Sequence, residues 1–135
     1  MGKFEALIQS LSKNRHSDHD PYQELVKADN RVVRYLTSNL LNNPDPLIRE
    51  TCAEILRDRG QARAVPFLIE ALKDKELFVR QDALWAIGPL CGLEVTMLEH
   101  LLCITNLDPA KKLHRKVSEW WRVNKKYIEN NYGIW

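Results

Sequence analysis

The sequence predicts an all-α fold, an α-α superhelix in which antiparallel helix pairs stack into a short solenoid. Residues 48–56 and 79–87 carry the same pattern: an apolar-Arg pair, a small residue three positions after the Arg, and a closing apolar residue. A helical segment over 65–72 lies between the copies, and a similar one over 33–40 comes 32 residues earlier. A period in the thirties is typical of stacked helix pairs that bury their apolar faces against their neighbours.

The length and composition predict a single globular domain. With 135 residues, 44% hydrophobic and 28% charged, the chain is long enough for one continuous core. We expect a capping helix and loop over 1–20, helix-pair repeats over 21–107 and a C-terminal capping helix over 108–135. No run of 18 apolar residues occurs and the first residues lack a signal-peptide core, so a cytoplasmic protein without a membrane span is expected.

Local signals divide the chain into eight expected helices. Asp before Pro is a helix start, because the carboxylate accepts from free amides and Pro needs no partner in the first turn. Glycine just past a helix supplies a left-handed residue. The starts are Asp20-Pro21, Asp45-Pro46 and Asp108-Pro109, with Glu76 in the equivalent place, and the glycines are Gly60 and Gly92. The helices are predicted near 3–13, 21–28, 31–42, 46–58, 63–73, 77–88, 94–105 and 109–129.

Repeated charges have a structural interpretation. Asp45 and Arg49 are four residues apart, as are Glu76 and Arg80, so each pair can meet on one helix face. Because the pairs recur at the same place in each unit, we expect them to form a ladder between neighbouring repeats.

The repeated segments resemble a known family. DKELFVRQDALWAIG of residues 74–88, preceded by AVPFLIEAL of residues 64–72, resembles the HEAT-like repeat of the phycobilisome-lyase type, and NPDPLIR of residues 43–49 is a looser copy. The resemblance covers about residues 31–92. It implies a right-handed solenoid that serves as a protein-binding scaffold, while some members handle bilin chromophores. It transfers no catalytic residue and implies no cofactor.

A concave binding row is predicted on the second helix of each pair. If the leading apolar residues face the core, the residue two positions later points about 200° away. These outward residues are Tyr35, Phe67 and His100, flanked by Arg31, Arg34, Ser38, Arg63, Glu70 and Glu99. Aromatic side chains on rigid helices are good anchors for a partner. Rotating the helix over 63–73 by one residue would instead place Phe67 in the core.

The last helix offers a second candidate surface. Residues 1–108 carry a formal charge of −3 and residues 109–135 carry +5. The basic residues are Lys111, Lys112, Arg115, Lys116, Arg122, Lys125 and Lys126. A helical projection places the apolar residues in one arc of about 120°, which favours a seal on the last repeat with a solvated basic face outside. That arc contains Leu113, Val117, Trp120, Trp121, Tyr127 and Ile128.

Chemistry-bearing residues form no pattern that names a reaction. The three cysteines, Cys52, Cys91 and Cys103, lack CxxC spacing and are expected to be reduced structural thiols. His16 and His19, with Asp18 and Asp20 nearby, lie in a polar loop without a metal-binding motif. His114 is expected to face solvent. We therefore expect no catalytic residue and no metal site.

Three functions remain open at this point. The first is a non-enzymatic adaptor that binds another protein or a second copy through its concave face, as a homo- or hetero-dimer. The second is an accessory subunit of a bilin lyase or another chromophore-handling factor, with the concave row against the tetrapyrrole. The third is nucleic-acid binding through the basic last helix, which would be weak and sensitive to salt.

Overall fold

The computed structural model describes residues 2–12, 20–91 and 107–132, and these ranges contain seven α-helices and no strand. The prediction of an all-α fold is confirmed. The helices are α1 (Lys3–Gln9), α2 (Pro21–Lys27), α3 (Val33–Asn42), α4 (Pro46–Asp58), α5 (Val65–Ala71), α6 (Leu77–Cys91) and α7 (Leu107–Tyr132). The helix predicted over 94–105 lies outside the described residues. No described helix is both long enough and apolar enough to span a bilayer.

Helix boundaries follow the sequence signals with three kinds of difference. Short 3₁₀ turns at Ser10–Ser12, Asn30–Val32 and Ala62–Ala64 extend the ends of α1, α3 and α5. Helix α6 continues past Pro89 to Cys91, whereas the prediction ended it at 88. Helix α7 begins at Leu107, two residues before the predicted start. Helix ends are the least sharply specified part of a local pattern, since the last turn can be α or 3₁₀.

Capping signals at two helix starts are confirmed at the level of atoms. The Asp20 carboxylate accepts a hydrogen bond of 2.9 Å from the Tyr22 amide, and the Asp45 carboxylate accepts one of 2.9 Å from the Leu47 amide. Each bond satisfies an amide that has no partner inside its helix. Gly60 follows α4 with φ of 67°, the left-handed conformation expected there.

The helices pack as two layers. Helices α4 and α6 lie side by side, and α3 and α5 form the second layer, with α3 packed against α4 and α5 against α6. Helices α1 and α2 pack on each other at the start of the stack, where α1 also contacts α3. Fully buried Leu36, Ile55, Leu68 and Leu84 belong to one continuous core that joins these layers. The two units starting at Asp45 and Glu76 therefore stack as neighbours.

Equivalent polar contacts confirm the 31-residue offset. The Asn43 side chain accepts a bond of 2.9 Å from the Asp45 amide, and the Asp74 side chain accepts one of 2.9 Å from the Glu76 amide. The Arg49 guanidinium donates 2.8 Å to the carbonyl of Asn43, and the Arg80 guanidinium donates 2.8 Å to the carbonyl of Asp74. The turn before α4 and the turn before α6 are thus the same structure.

The prediction that Asp45 forms an ion pair with Arg49 is wrong. Arg49 instead forms its ion pair with Asp74 of the next unit, at 2.9 Å, and both side chains are largely buried. The Asp45 carboxylate caps α4, which directs it at the helix amides. One ion pair between repeats is therefore present, and its acid comes from the turn before α6 rather than from the arginine's own helix.

Arg59 ties the end of α4 to the end of α2, a contact that the sequence pattern did not predict. Its Nη1 lies 2.8 Å from the Leu25 carbonyl, 2.9 Å from that of Val26 and 2.7 Å from that of Ala28. These carbonyls lie at the C-terminal end of α2, where a cation is favourable. The first helix pair is therefore fixed to the repeat that follows it.

Helix α7 packs across the second layer. Within the described residues, its most extensive contacts are with α5 and with the turn Ala62–Ala64. Val117 is buried in the common core and the half-buried Trp121 packs against it, while Trp120 is half-buried. The predicted apolar seal is confirmed at Val117 and Trp121. It is wrong at Tyr127, which is 64% exposed.

Candidate functional site

Helix α3 carries the most open part of the predicted binding row. Arg34 and Ser38 are exposed on it, and Arg31 is exposed in the 3₁₀ turn at its start. Tyr35 is half-buried and packs against the core. Positions 31, 34, 35 and 38 are spaced by three and four residues, so these side chains share one face of the helix. The structure therefore exposes Arg31, Arg34 and Ser38 on this face, with Tyr35 partly covered by the core.

The Tyr35 ring contacts two other side chains. The ring of Phe4 on α1 lies 5.6 Å from it, centroid to centroid, at an interplanar angle of 54°. The Arg34 guanidinium carbon lies 5.5 Å from the Tyr35 centroid, within the range of a cation–π contact. The sequence analysis did not predict this contact of Phe4 with Tyr35, because it joins two helices that are distant in the chain.

The α5 part of the row is less open. Phe67 is half-buried and packs against the core. Its position is intermediate between the two predicted alternatives, a ring that faces outward and a ring in the core. Arg63 is 8% exposed rather than at the surface, because the turn Ala62–Ala64 is covered by α7. Glu70 is exposed as predicted. His100 and Glu99 lie outside the described residues.

A polar contact joins α5 to α7 on this face. Glu70 Oε1 lies 3.1 Å from His114 Nε2, and Glu70 Oε2 lies 3.2 Å from Lys73 Nζ. The hydrogen bond from His114, followed by that from Lys73, lowers the pKa of the Glu70 carboxyl below its ordinary value. The prediction that His114 faces solvent is wrong. Helix α7 therefore occupies part of the surface that the sequence assigned to a partner.

A cavity of about 370 Å³ adjoins the α3 part of the row. Its walls come from α1, α2 and the start of α3: Lys3, Phe4, Leu7, Glu24, Lys27, Ala28, Asp29 and Arg31. Arg31 donates to both Asp29 oxygens, at 2.9 and 2.8 Å. The Arg31 bonds lower the pKa of the Asp29 carboxyl to about 2, so this rim stays ionic at neutral pH.

The basic face of α7 is solvated as expected. Its described cations are all exposed: Arg115, Lys116, Arg122, Lys125 and Lys126. The side chains of Lys111 and Lys112 lie outside the described residues. Arg122 pairs with Glu119 three residues earlier, at 2.5 Å, and this bond raises the pKa of the guanidinium. An exposed pair of this kind contributes little to stability.

Few of the described residues could act in catalysis or hold a metal ion. Burial raises the pKa of the Cys52 thiol, which lies in the core and is a free cysteine as predicted. Glu50, Glu54 and Asp82 bring their carboxylate oxygens within 4.8 Å of one another between α4 and α6. The loop with His16 and His19 lies outside the described residues, as does Cys103.

Comparison with known proteins agrees with this geometry. A family profile of HEAT repeats matches residues 5–88 and again residues 33–111. The chain belongs to the HEAT repeat family. The match does not separate the phycobilisome-lyase type from other HEAT repeats, so that finer resemblance stays a prediction. No curated protein and no solved structure matches the chain.

Proposed function

We propose that this HEAT repeat chain is a non-enzymatic scaffold that holds another protein on the face formed by α3 and α5. The observation that carries the proposal is the fixed aromatic ring of Tyr35 between Phe4 and Arg34, beside cations that remain in solvent. An anchor whose rotamer is already restricted loses little entropy when a partner covers it. Tyr and Arg are also the residues most often found to dominate binding energy at interfaces.

The accessible part of this face centres on α3. Helix α7 covers the Arg63 side of α5 and bonds to Glu70, which leaves the region from Arg31 to Ser38 open. The adjoining cavity of about 370 Å³ extends the region toward α1 and α2. It is large enough to accept one or two side chains of a partner.

The charges of this region favour a partner with a carboxylate next to an apolar anchor. Arg34 and Lys27 are exposed, whereas Arg31 is paired with Asp29. The planar guanidinium of arginine can donate two parallel hydrogen bonds to one carboxylate. An apolar side chain of the partner would rest on Phe4 and Tyr35, with its carboxylate on Arg34.

Photo-cross-linking of the full chain tests this proposal. A photoreactive amino acid in place of Ser38 is expected to form an adduct with the partner in the native cell. The same amino acid in place of Lys75, an exposed residue before α6, is the matched control and is expected to form none. Adducts at both positions, at Lys75 alone, or at neither would contradict a binding face on α3.

A further inference from the structure

The cavity beside the start of α3 has an apolar floor. Phe4 and Leu7 of α1 and Ala28, the residue after α2, line it. All three side chains are half-buried and pack against the core. The cavity volume of about 370 Å³ lies in the lower part of the range of ligand sites, about 300 to 1,000 Å³. A cavity with this volume and floor accepts an apolar group.

The rim of the cavity carries more positive than negative charge. It consists of three cations and two acids: Lys3, Lys27, Arg31, Glu24 and Asp29. Asp29 accepts bonds of 2.9 and 2.8 Å from Arg31, so these two charges offset each other. Lys3 and Lys27 are exposed, and the ammonium group of a lysine moves on a flexible stem. The rim therefore favours a ligand that combines an apolar group with negative charge.

Phe4 connects the cavity to the Tyr35 ring. The Phe4 ring lies 5.6 Å from the Tyr35 centroid, and the Arg34 guanidinium carbon lies 5.5 Å from that same centroid. The Arg34 guanidinium is therefore at most about 11 Å from the Phe4 ring. An extended chain advances about 3.4 Å per residue, so about three residues cover this distance. One short segment can reach both the cavity and Arg34.

The alternation of an extended chain sets the spacing of the two groups on such a segment. Side chains at adjacent positions point to opposite sides, whereas side chains two positions apart point to the same side, about 7 Å from each other. The length of an acidic side chain covers the remaining distance to Arg34. The geometry thus favours an acidic residue and an apolar residue with one residue between them.

The apolar part of this region is small. Its described apolar side chains are Phe4, Leu7, Ala28 and Tyr35, each half-buried, and exposed charged residues border them. A standard interface between two folded proteins buries about 1,600 Å² around an apolar centre. Four partly covered side chains form a centre for one inserted anchor rather than for an interface of that size.

We propose that the partner docks on the α3 face through a short extended segment in which an acidic residue and a large apolar residue are two positions apart. The acid binds Arg34, and the apolar side chain enters the cavity against Phe4 and Leu7. A second acid beside the apolar residue meets Lys3 or Lys27. This inference rests on the proposed scaffold function and adds the length and the chemistry of the segment that is recognised.

Peptide selection on the full chain tests the motif. Random heptapeptides displayed on phage are selected against the immobilised chain. Peptides in which Asp or Glu stands two positions from Leu, Ile, Met, Phe or Trp are expected to be enriched. Selection against the Arg34→Glu variant is expected to lose the acidic preference. Enrichment of basic peptides, of apolar peptides without an acid, or of no peptide would overturn the inference.

A change in the cavity floor tests the apolar half of the motif. The probe is the most enriched peptide, labelled with fluorescein, and fluorescence anisotropy gives its dissociation constant. Ala28→Met extends a side chain into the cavity and is expected to raise this constant at least about tenfold. Ala6→Met, at an exposed position of α1 outside the cavity lining, is the matched control and should leave the constant unchanged. Equal constants for the two variants would overturn the cavity as the site of the apolar residue.

A coupling measurement tests the acidic half and does not depend on the folding of Ala28→Met, because Arg34 is exposed. Replacing the acid of the peptide by its amide is expected to weaken binding to the unmodified chain at least about fivefold. The same replacement should have no effect on binding to Arg34→Ala. An equal loss with both chains would overturn the contact with Arg34.

Failure of this inference can be distinguished from failure of the scaffold proposal. A partner captured by photo-cross-linking at Ser38, with no peptide enriched, would support the scaffold and overturn the short segment. Enrichment of the motif without an adduct at Ser38 would support the motif and contradict the scaffold role in the cell.

Discussion

Arg49 of α4 binds the carboxylate of Asp74, 25 residues later, through Nε at 2.9 Å and Nη2 at 3.1 Å. The same guanidinium donates 2.8 Å to the Asn43 carbonyl at the start of its own repeat. The side chains of the ion pair are only 6% and 11% exposed. One buried arginine thus fixes the turns of two consecutive repeats relative to each other.

Replacing Arg49 should be far more costly than replacing an exposed arginine. Arg49→Ala leaves the Asp74 carboxylate largely buried without its cation, and we expect a loss of about 3 to 5 kcal/mol in the free energy of unfolding. Arg31→Ala removes a pair that is 77% and 54% exposed and should leave the free energy of unfolding almost unchanged, because solvent screens the pair. Urea denaturation measures both.

Arg49→Lys keeps the measurement possible if Arg49→Ala does not fold. Lysine retains the charge but not the forked donors, so an intermediate loss is expected. Equal stabilities of the Arg49→Ala and Arg31→Ala variants would show that the ion pair does not join the repeats.

Substitution of Gly60 should lower the stability of the fold because of the backbone conformation alone. Its φ is 67°, and a Cβ built there has no atom within 4 Å. Gly60→Ala is expected to cost about 1 to 2 kcal/mol, since an L-residue is disfavoured in the left-handed region. Gly2→Ala, where φ is −73° and the space is also open, is the control for backbone conformation and should cost less than Gly60→Ala, since only its role as the N-cap of α1 is affected. Thermal denaturation measures the stability of both variants. Equal stability of the two would rule out the left-handed cap at Gly60.

Phe67 and Leu68 should differ in their contribution to stability. Leu68 is fully buried, so Leu68→Ala is expected to cost about 2 to 5 kcal/mol. Phe67 is only half-buried, and Phe67→Ala should cost about 2 kcal/mol, less than the about 3 to 5 kcal/mol typical of a core Phe. Chemical denaturation of the Leu68→Ala and Phe67→Ala variants measures both losses. A larger loss for Phe67→Ala would mean that the ring lies in the core and is closed to a partner.

The Glu70–His114 contact predicts a pH dependence. The pKa of the Glu70 carboxyl is lowered in the folded chain, so its contribution to stability is present above the ordinary value of 4.5 and is lost as the pH falls through the folded pKa. His114→Ala should raise the Glu70 pKa toward 4.5, and Lys73→Met should raise it less, because the His114 bond is the larger cause. An NMR titration of the carboxyl carbon measures the shift. An unchanged midpoint in His114→Ala would contradict the contact of α7 with α5.

Much of the fold could be predicted because its determinants are local. Asp20 and Asp45 precede proline, and the 31-residue offset places Arg49 and Arg80 in equivalent turns. The partner of Arg49 could not be predicted in this way. Helical spacing identifies only neighbours within three or four residues, whereas Asp74 arrives from the next repeat through the tertiary fold.

The candidate site was only partly predictable for a related reason. A helical projection shows which residues of α7 share a stripe, but not which helix that stripe packs against. The contact of His114 with Glu70 and the burial of Arg63 both follow from α7 lying on α5. The contact of Tyr35 with Phe4 is likewise tertiary, because it joins α3 to α1.

The most direct test of the scaffold proposal uses the partner identified by photo-cross-linking at position 38. Its affinity is measured for the Arg34→Glu variant of the chain. Isothermal titration calorimetry should show binding at least about tenfold weaker than with the unmodified chain, since the substitution places a carboxylate against the partner's own. Lys75→Glu, the same charge change away from α3, should leave the affinity unchanged. Unchanged affinity for Arg34→Glu, with binding lost when Lys125 and Lys126 are replaced by glutamate, would contradict the α3 face and place the partner on α7.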